Sequence, residues 1–168
     1  MKKIHILKAI VDLVWIFTMP LIPFIIIFIP LLFFYEDLRS LDLEISNISL
    51  YSIDTFGKFL ICIVLFSYGL LIYCLFLFRK TLRYFLNRKV FDEYVINTFQ
   101  KIGILLVISG LITLVISFVA RFYFELKIKI EIGMNEHIIV LCLGLFFMVL
   151  SEVFRIAKTA KQENDLTI

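Results

Sequence analysis

Charge is what this chain has little of. Of its 168 residues only 18% are Asp, Glu, Lys or Arg, while 62% are hydrophobic. A soluble domain is about a quarter charged and about half apolar. Linkers, low-complexity tracts and internal repeats are missing too, so residues 1–168 read as a single domain. The signatures of common chemistry are also absent: no nucleophile elbow, no HExxH helix, no phosphate-cradling glycine loop, no dinucleotide fingerprint. Cys62, Cys74 and Cys142 stand singly inside apolar runs, without zinc-ligand spacing, and read as packing groups. His5 and His137 have no ligand-spaced neighbour. From these absences we expect no catalytic residue, no cofactor and no metal, and a protein that is not an enzyme.

What the chain does have is four apolar blocks with charge between them. About 20 helical residues cross a hydrocarbon core of about 30 Å. The blocks predict four spans, at about 9–35, 59–78, 102–120 and 138–156. The expected fold class is therefore an all-α polytopic membrane protein. Lys2, Lys3 and Lys8 before the first block imitate a signal peptide. That block is longer than an h-region of about 7–15 residues and no A-x-A site follows, so it reads as an uncleaved span. Pro20, Pro23 and Pro30 interrupt it and free the carbonyls of Ile16, Met19 and Ile26. They mark either a bent packing helix or a hinge or cavity lining.

The distribution of cations sets the orientation. Twelve of the 17 Lys and Arg residues fall in the N-terminus, the 79–101 connection and the 157–168 tail with its approach, and five fall in the connections 36–58 and 121–137. The positive-inside rule then predicts a multi-pass protein with both termini in the cytoplasm. The connection 79–101 is the most basic stretch, with Arg79, Lys80, Arg83, Arg88, Lys89 and Lys101 against Asp92 and Glu93. It reads as a tight elbow between two helices that continue beyond the lipid. Asp92 is placed to cap the second of these, and Phe91 and Ile96 to form a hydrophobic staple. Attraction to anionic headgroups accounts for the basic charge, so direct nucleic-acid binding is not expected.

Both outer connections carry strand-like alternation. Leu41–Ile45 alternates apolar and charged residues, and Phe122 to Ile132 does so more clearly. The two predict a small extracytoplasmic two-stranded β element built from the 1–2 and 3–4 connections, with Asp42 and Glu44 near Lys127 and Lys129. Gly103, Gly110 and Ser117 recur at seven-residue intervals on the third span, and Gly144 and Ser151 repeat the interval on the fourth. Small residues on one stripe allow close helix approach, which makes these two spans expected partners.

Asp12 and Glu152 are the acids nearest the interior of the spans, and an ionisable group in lipid is a functional candidate by default. Each has a nearby cation: Lys8 four residues before Asp12, Arg155 or Lys158 after Glu152. Ion pairing and a proton or ion relay are both open readings. The tail Asp165-Leu166-Thr167-Ile168 has apolar residues at alternate positions, as peptides captured by carboxylate-binding domains do.

Several stretches together resemble a known family. They are Leu82-Arg83, Lys89-Val90-Phe91-Asp92-Glu93 and Lys101-Ile102-Gly103, then Gly144-Leu145, Leu150-Ser151-Glu152-Val153-Phe154 and Glu163 to Ile168. On these the chain is similar, over nearly its whole length, to a bacterial membrane family catalogued as domain-of-unknown-function family 2975. The elbow here has Lys-Val-Phe-Asp where that family usually shows a Pro before the Phe and often Thr after it; Asp92 caps as Thr would. The resemblance implies four spans and no assigned activity. Members are often encoded beside a small helix-turn-helix regulator, which implies a sensing or resistance role by association.

The expected function is an integral inner-membrane protein, non-enzymatic, with an accessory, sensory or immunity-like role. The alternative is a small transporter or channel subunit using Asp12 and Glu152. The candidate functional residues are Asp12, Glu152, Arg83, Phe91, Asp92, Asp165, Leu166, Thr167 and Ile168. The expected partners are membrane lipid, a protein met at the elbow or the tail, and a second copy of the chain.

Overall fold

The computed structural model describes residues 2–34, 44–45, 48–49, 55–87, 90–125 and 136–166. Five helices dominate: α1 (Lys2–Thr18), α2 (Leu21–Phe34), α3 (Thr55–Leu86), α4 (Glu93–Glu125) and α5 (Glu136–Leu166). Four stretches are long and apolar enough to cross a membrane: Lys3–Leu31 (α1 with α2), Thr55–Leu86, Glu93–Ala120 and Glu136–Asn164. At 1.5 Å per residue α3 and α4 are each roughly 50 Å long, against about 30 Å of hydrocarbon. They overrun the lipid, as the elbow requires, and only residues 87–92 separate them.

The break between α1 and α2 has a single cause. Pro20 has no N–H to give the Ile16 carbonyl, so α1 closes with the Met19 amide on the Trp15 carbonyl at 3.0 Å. The Thr18 hydroxyl donates to the same carbonyl at 2.9 Å. Three prolines thus produce one break. Pro23 falls in the first turn of α2, where its missing N–H costs nothing, and Pro30 stays inside the helix.

Two two-residue strands, β1 (Glu44–Ile45) and β2 (Ile48–Ser49), pair antiparallel. Both belong to the first connection, so the expected β element joining the two outer connections is not supported. Phe122 to Glu125, read as the start of a strand, is the end of α4. No Gly or Pro stops the helix there, and at a membrane edge a helix satisfies its own backbone groups while a lone strand does not. The rest of that alternation, including Lys127 and Lys129, lies outside the described residues.

The core sits between α3, α4 and α5. Cys74 and Leu77 of α3 meet Val95, Phe99, Ile102 and Leu106 of α4, with Phe147 and Phe154 of α5 against them. Phe99, fully enclosed, stacks on Phe154 at 5.6 Å and meets Phe147 at 5.6 Å and Phe85 at 5.8 Å. The segment α1–α2 lies along α3, through Trp15 on Phe76 (5.5 Å) and Phe28 on Ile61 and Leu65. Most of its apolar side chains are exposed, as expected of a span that faces lipid.

Candidate functional site

Antiparallel packing gathers the polar helix ends at one end of the bundle, and ion pairs tie them together. Asp12 of α1 accepts from the Nε–H of Arg79 of α3, and the Arg79 guanidinium lies 5.8 Å from the centroid of Trp15. Glu93 opens α4 and pairs with Lys158 of α5 at 3.6 Å. Arg155 donates to Gln100 at 3.1 Å and pairs with Glu152 at 3.3 Å. Lys80 sits 5.0 Å from the ring of Tyr94, and Lys101 sits 5.8 Å from the ring of Tyr73. Tyr84 stacks on Tyr94 at 4.6 Å.

The sequence-based candidates separate at this point. Asp12 takes Arg79, not Lys8, as its partner: the cation comes from another helix 67 residues away. Glu152 takes Arg155, as its spacing indicates, and both are exposed. The two acids therefore answer to different helices and form no shared cluster. Arg83 is exposed in the last turn of α3. Asp92 caps α4 as expected: its Oδ1 accepts from the Tyr94 amide at 2.9 Å, and its carbonyl accepts from Val95 at 3.0 Å. Phe91 meets Phe154 of α5 edge-on at 6.1 Å, tying the elbow to a second helix, while Ile96 is buried. The tail is helical through Leu166, which removes Leu166 from an extended peptide. The side chains of Asp165 and Leu166, and all of Thr167 and Ile168, lie outside the described residues.

The small residues perform as their spacing predicts. A Cβ on Gly103 would stand 2.8 Å from the Gly144 carbonyl, and one on Gly144 would stand 2.9 Å from the Gly103 carbonyl. The Ser151 hydroxyl donates to the Ile96 carbonyl at 2.8 Å, and Ser117 shares a hydrogen bond with His137 Nε2 at 2.9 Å. One ladder of small and hydroxyl residues thus seams α4 to α5 along its length. The α3–α4 seam was not anticipated. The Ser67 and Ser109 hydroxyls share a hydrogen bond at 2.7 Å, and the one that accepts it can donate to the other serine's backbone carbonyl. The available signal was weak: Ser67 is the one Ser or Thr between residues 59 and 78, but Ser109 shares its run with Thr113 and Ser117. Among the described residues no buried side-chain N or O atom is left without a partner.

A second feature adjoins the charged end. An apolar cleft of about 500 Å³ opens between α1–α2 and α3. Ile22 to Ile29 of α2 form one wall and Leu65 to Phe76 of α3 the other, with Trp15 and Tyr73 at the charged end. The cleft spans the break at Pro20, with Trp15 before it and Ile22 after it in the lining. A cavity lining was one of the two readings of those prolines.

A family described as a protein of unknown function, DUF2975, matches residues 10–168. No curated protein and no solved structure matches the chain.

Proposed function

This chain belongs to the DUF2975 family, and from that premise we propose a non-enzymatic accessory or sensory protein of the bacterial inner membrane. In this reading both termini, the elbow and the charged end lie in the cytoplasm. There, the elbow and the helical tail face partner proteins. The observation that carries this reading is the use made of the ionisable groups. Asp12 with Arg79 and Glu93 with Lys158 each tie one helix to another, and the interior hydroxyls of Ser67, Ser109 and Ser151 are engaged in helix seams. Groups that serve a permeation path or a reaction converge on a shared space; these are dispersed as fasteners. The bias of twelve cations against five supports the orientation.

The test is flux in proteoliposomes under an imposed proton or potassium gradient. The expected result is leakage no faster than in empty liposomes. A flux that Asp12→Asn or Glu152→Gln abolishes would overturn the proposal in favour of a transporter.

A further inference from the structure

We propose that the cleft between α1–α2 and α3 is a binding site for one anionic phospholipid, with an acyl chain along the cleft and the phosphate at Arg79 and Lys101. This goes beyond the accessory role and requires only that the four helices lie in a bilayer, whichever way they face.

Three observations converge on that occupant. The lining is apolar apart from the polar tips of Trp15 and Tyr73 at one end, and it lies within two stretches long and apolar enough to cross a membrane, so what fills it in a bilayer is hydrocarbon. From Leu65 to Phe76 its α3 wall rises roughly 16 Å, and one leaflet of a 30 Å core is about 15 Å deep. The cleft therefore accepts a single acyl chain lying along the bilayer normal. At one end the wall is aromatic: Trp15 packs on Phe76 at 5.5 Å and Tyr73 on Phe76 at 6.4 Å. Over this rim stand two cations, Arg79 at 5.8 Å from the Trp15 ring and Lys101 at 5.8 Å from the Tyr73 ring. Rings at the interface with cations just beyond them reproduce, in order, the tail, glycerol and phosphate levels of a phospholipid.

The pairing of Arg79 leaves it able to bind. Its Nε–H is directed at Asp12, whereas a guanidinium carries five N–H donors, so the terminal amino groups remain for a phosphate oxygen. Asp12 then acts as a positioning residue, holding Arg79 beside Trp15. Gly69 has a matching role in shape: a Cβ there would meet nothing within 4 Å, so this position of the α3 wall is open for an acyl chain to pass.

Trp15 is the only tryptophan in the chain, which makes its fluorescence a direct reporter of the site. The experiment reconstitutes the full chain in phosphatidylcholine vesicles containing a minor fraction of brominated lipid. Quenching of Trp15 by brominated phosphatidylglycerol is compared with quenching by brominated phosphatidylcholine. The expected result is an effective local concentration of the anionic lipid about fivefold above that of the zwitterionic one, the preference a single interfacial cation supplies. The variant Asp12→Asn/Arg79→Gln/Lys101→Gln removes both cations without stranding an anion, and should abolish the preference. Gly69→Leu fills the cleft and should reduce quenching by either lipid while the charged end stays intact. Equal quenching by the two lipids in the unmodified chain overturns the proposal. So does a preference that survives in the triple variant, or quenching that Gly69→Leu leaves unchanged.

Discussion

Arg79 joins three things at one point: it neutralises Asp12, covers Trp15 and ends the apolar wall of α3. An acid in a membrane span is expensive unless paired, and a charge-assisted hydrogen bond contributes about 1.5–3 kcal/mol. Arg79→Ala should therefore lower thermal stability in detergent by about that much. The Asp12→Asn/Arg79→Gln double variant should lose less than the two single changes together. Strict additivity in this cycle would show that the pair contributes nothing. Asp92→Ala should cost about 1 kcal/mol in the same assay, and Asp92→Thr, which keeps the cap, much less. How legible these residues were depended on distance. Asp92 was readable because a cap is a local event, completed within two residues. Asp12 was readable as unusual but not as paired with Arg79, since sequence spacing indicates only the cation one turn away. Lys8 has that spacing, yet the exchange of a helix–helix contact for a same-helix contact is decided by packing.

At the scale of elements, the clearest expectation was the α4–α5 seam. A seven-residue recurrence of Gly103, Gly110 and Ser117 facing Gly144 and Ser151 specifies one stripe, and a stripe without side chains has an evident use. The geometry refines it. Beyond the side chains it would touch at all three, an added Cβ would meet opposing backbone at 2.8 Å from Gly103 and 2.9 Å from Gly144, whereas at Gly110 the nearest backbone atom, the His137 carbonyl, stands at 3.3 Å and the closest contact is the Leu141 side chain at 2.9 Å. Backbone cannot yield without separating the helices, and a leucine can change rotamer. Gly144→Ala and Gly103→Ala should thus each cost about 1–3 kcal/mol, in the range of overpacked cores, and Gly110→Ala clearly less. Thermal unfolding in detergent measures the order, and a larger loss at Gly110 would contradict it. The strand expectation failed at this same scale over Phe122 to Glu125, which are helical. Alternation over Phe122 to Ile132 is a pattern of side chains only, and it carries no information about whether the preceding helix has ended. The cleft was half visible: Pro20 marks a break, but the direction in which α2 then leaves depends on what α3 presents to it.

For the whole molecule the decisive quantity is which side each charged end occupies. The fold brings the start of α1, the elbow and the far end of α5 to one end, and places the start of α5 at the other. If that first end is cytoplasmic, a single cysteine at Asn87 or Gln162 must be shielded from an impermeant maleimide in intact cells and must react once the membrane is opened. A single cysteine at Glu136 must react from outside. All three positions are exposed, so failure to react reports the membrane and not burial, provided that Cys62, Cys74 and Cys142 are first replaced. The cation bias is strong enough that removing one or two charges should leave this pattern intact. Replacing Arg79, Lys80, Arg83, Arg88 and Lys89 together by Gln takes away most of the excess. If those cations hold the α3–α4 hairpin against translocation, a fraction of molecules of that variant should expose position 87 to the outside. Unaltered shielding of Asn87 would show that the N-terminal lysines, Lys101 and the tail suffice to determine the orientation. The charge of Arg79 would then be dispensable for topology, and lipid binding and insertion would be separable at that residue.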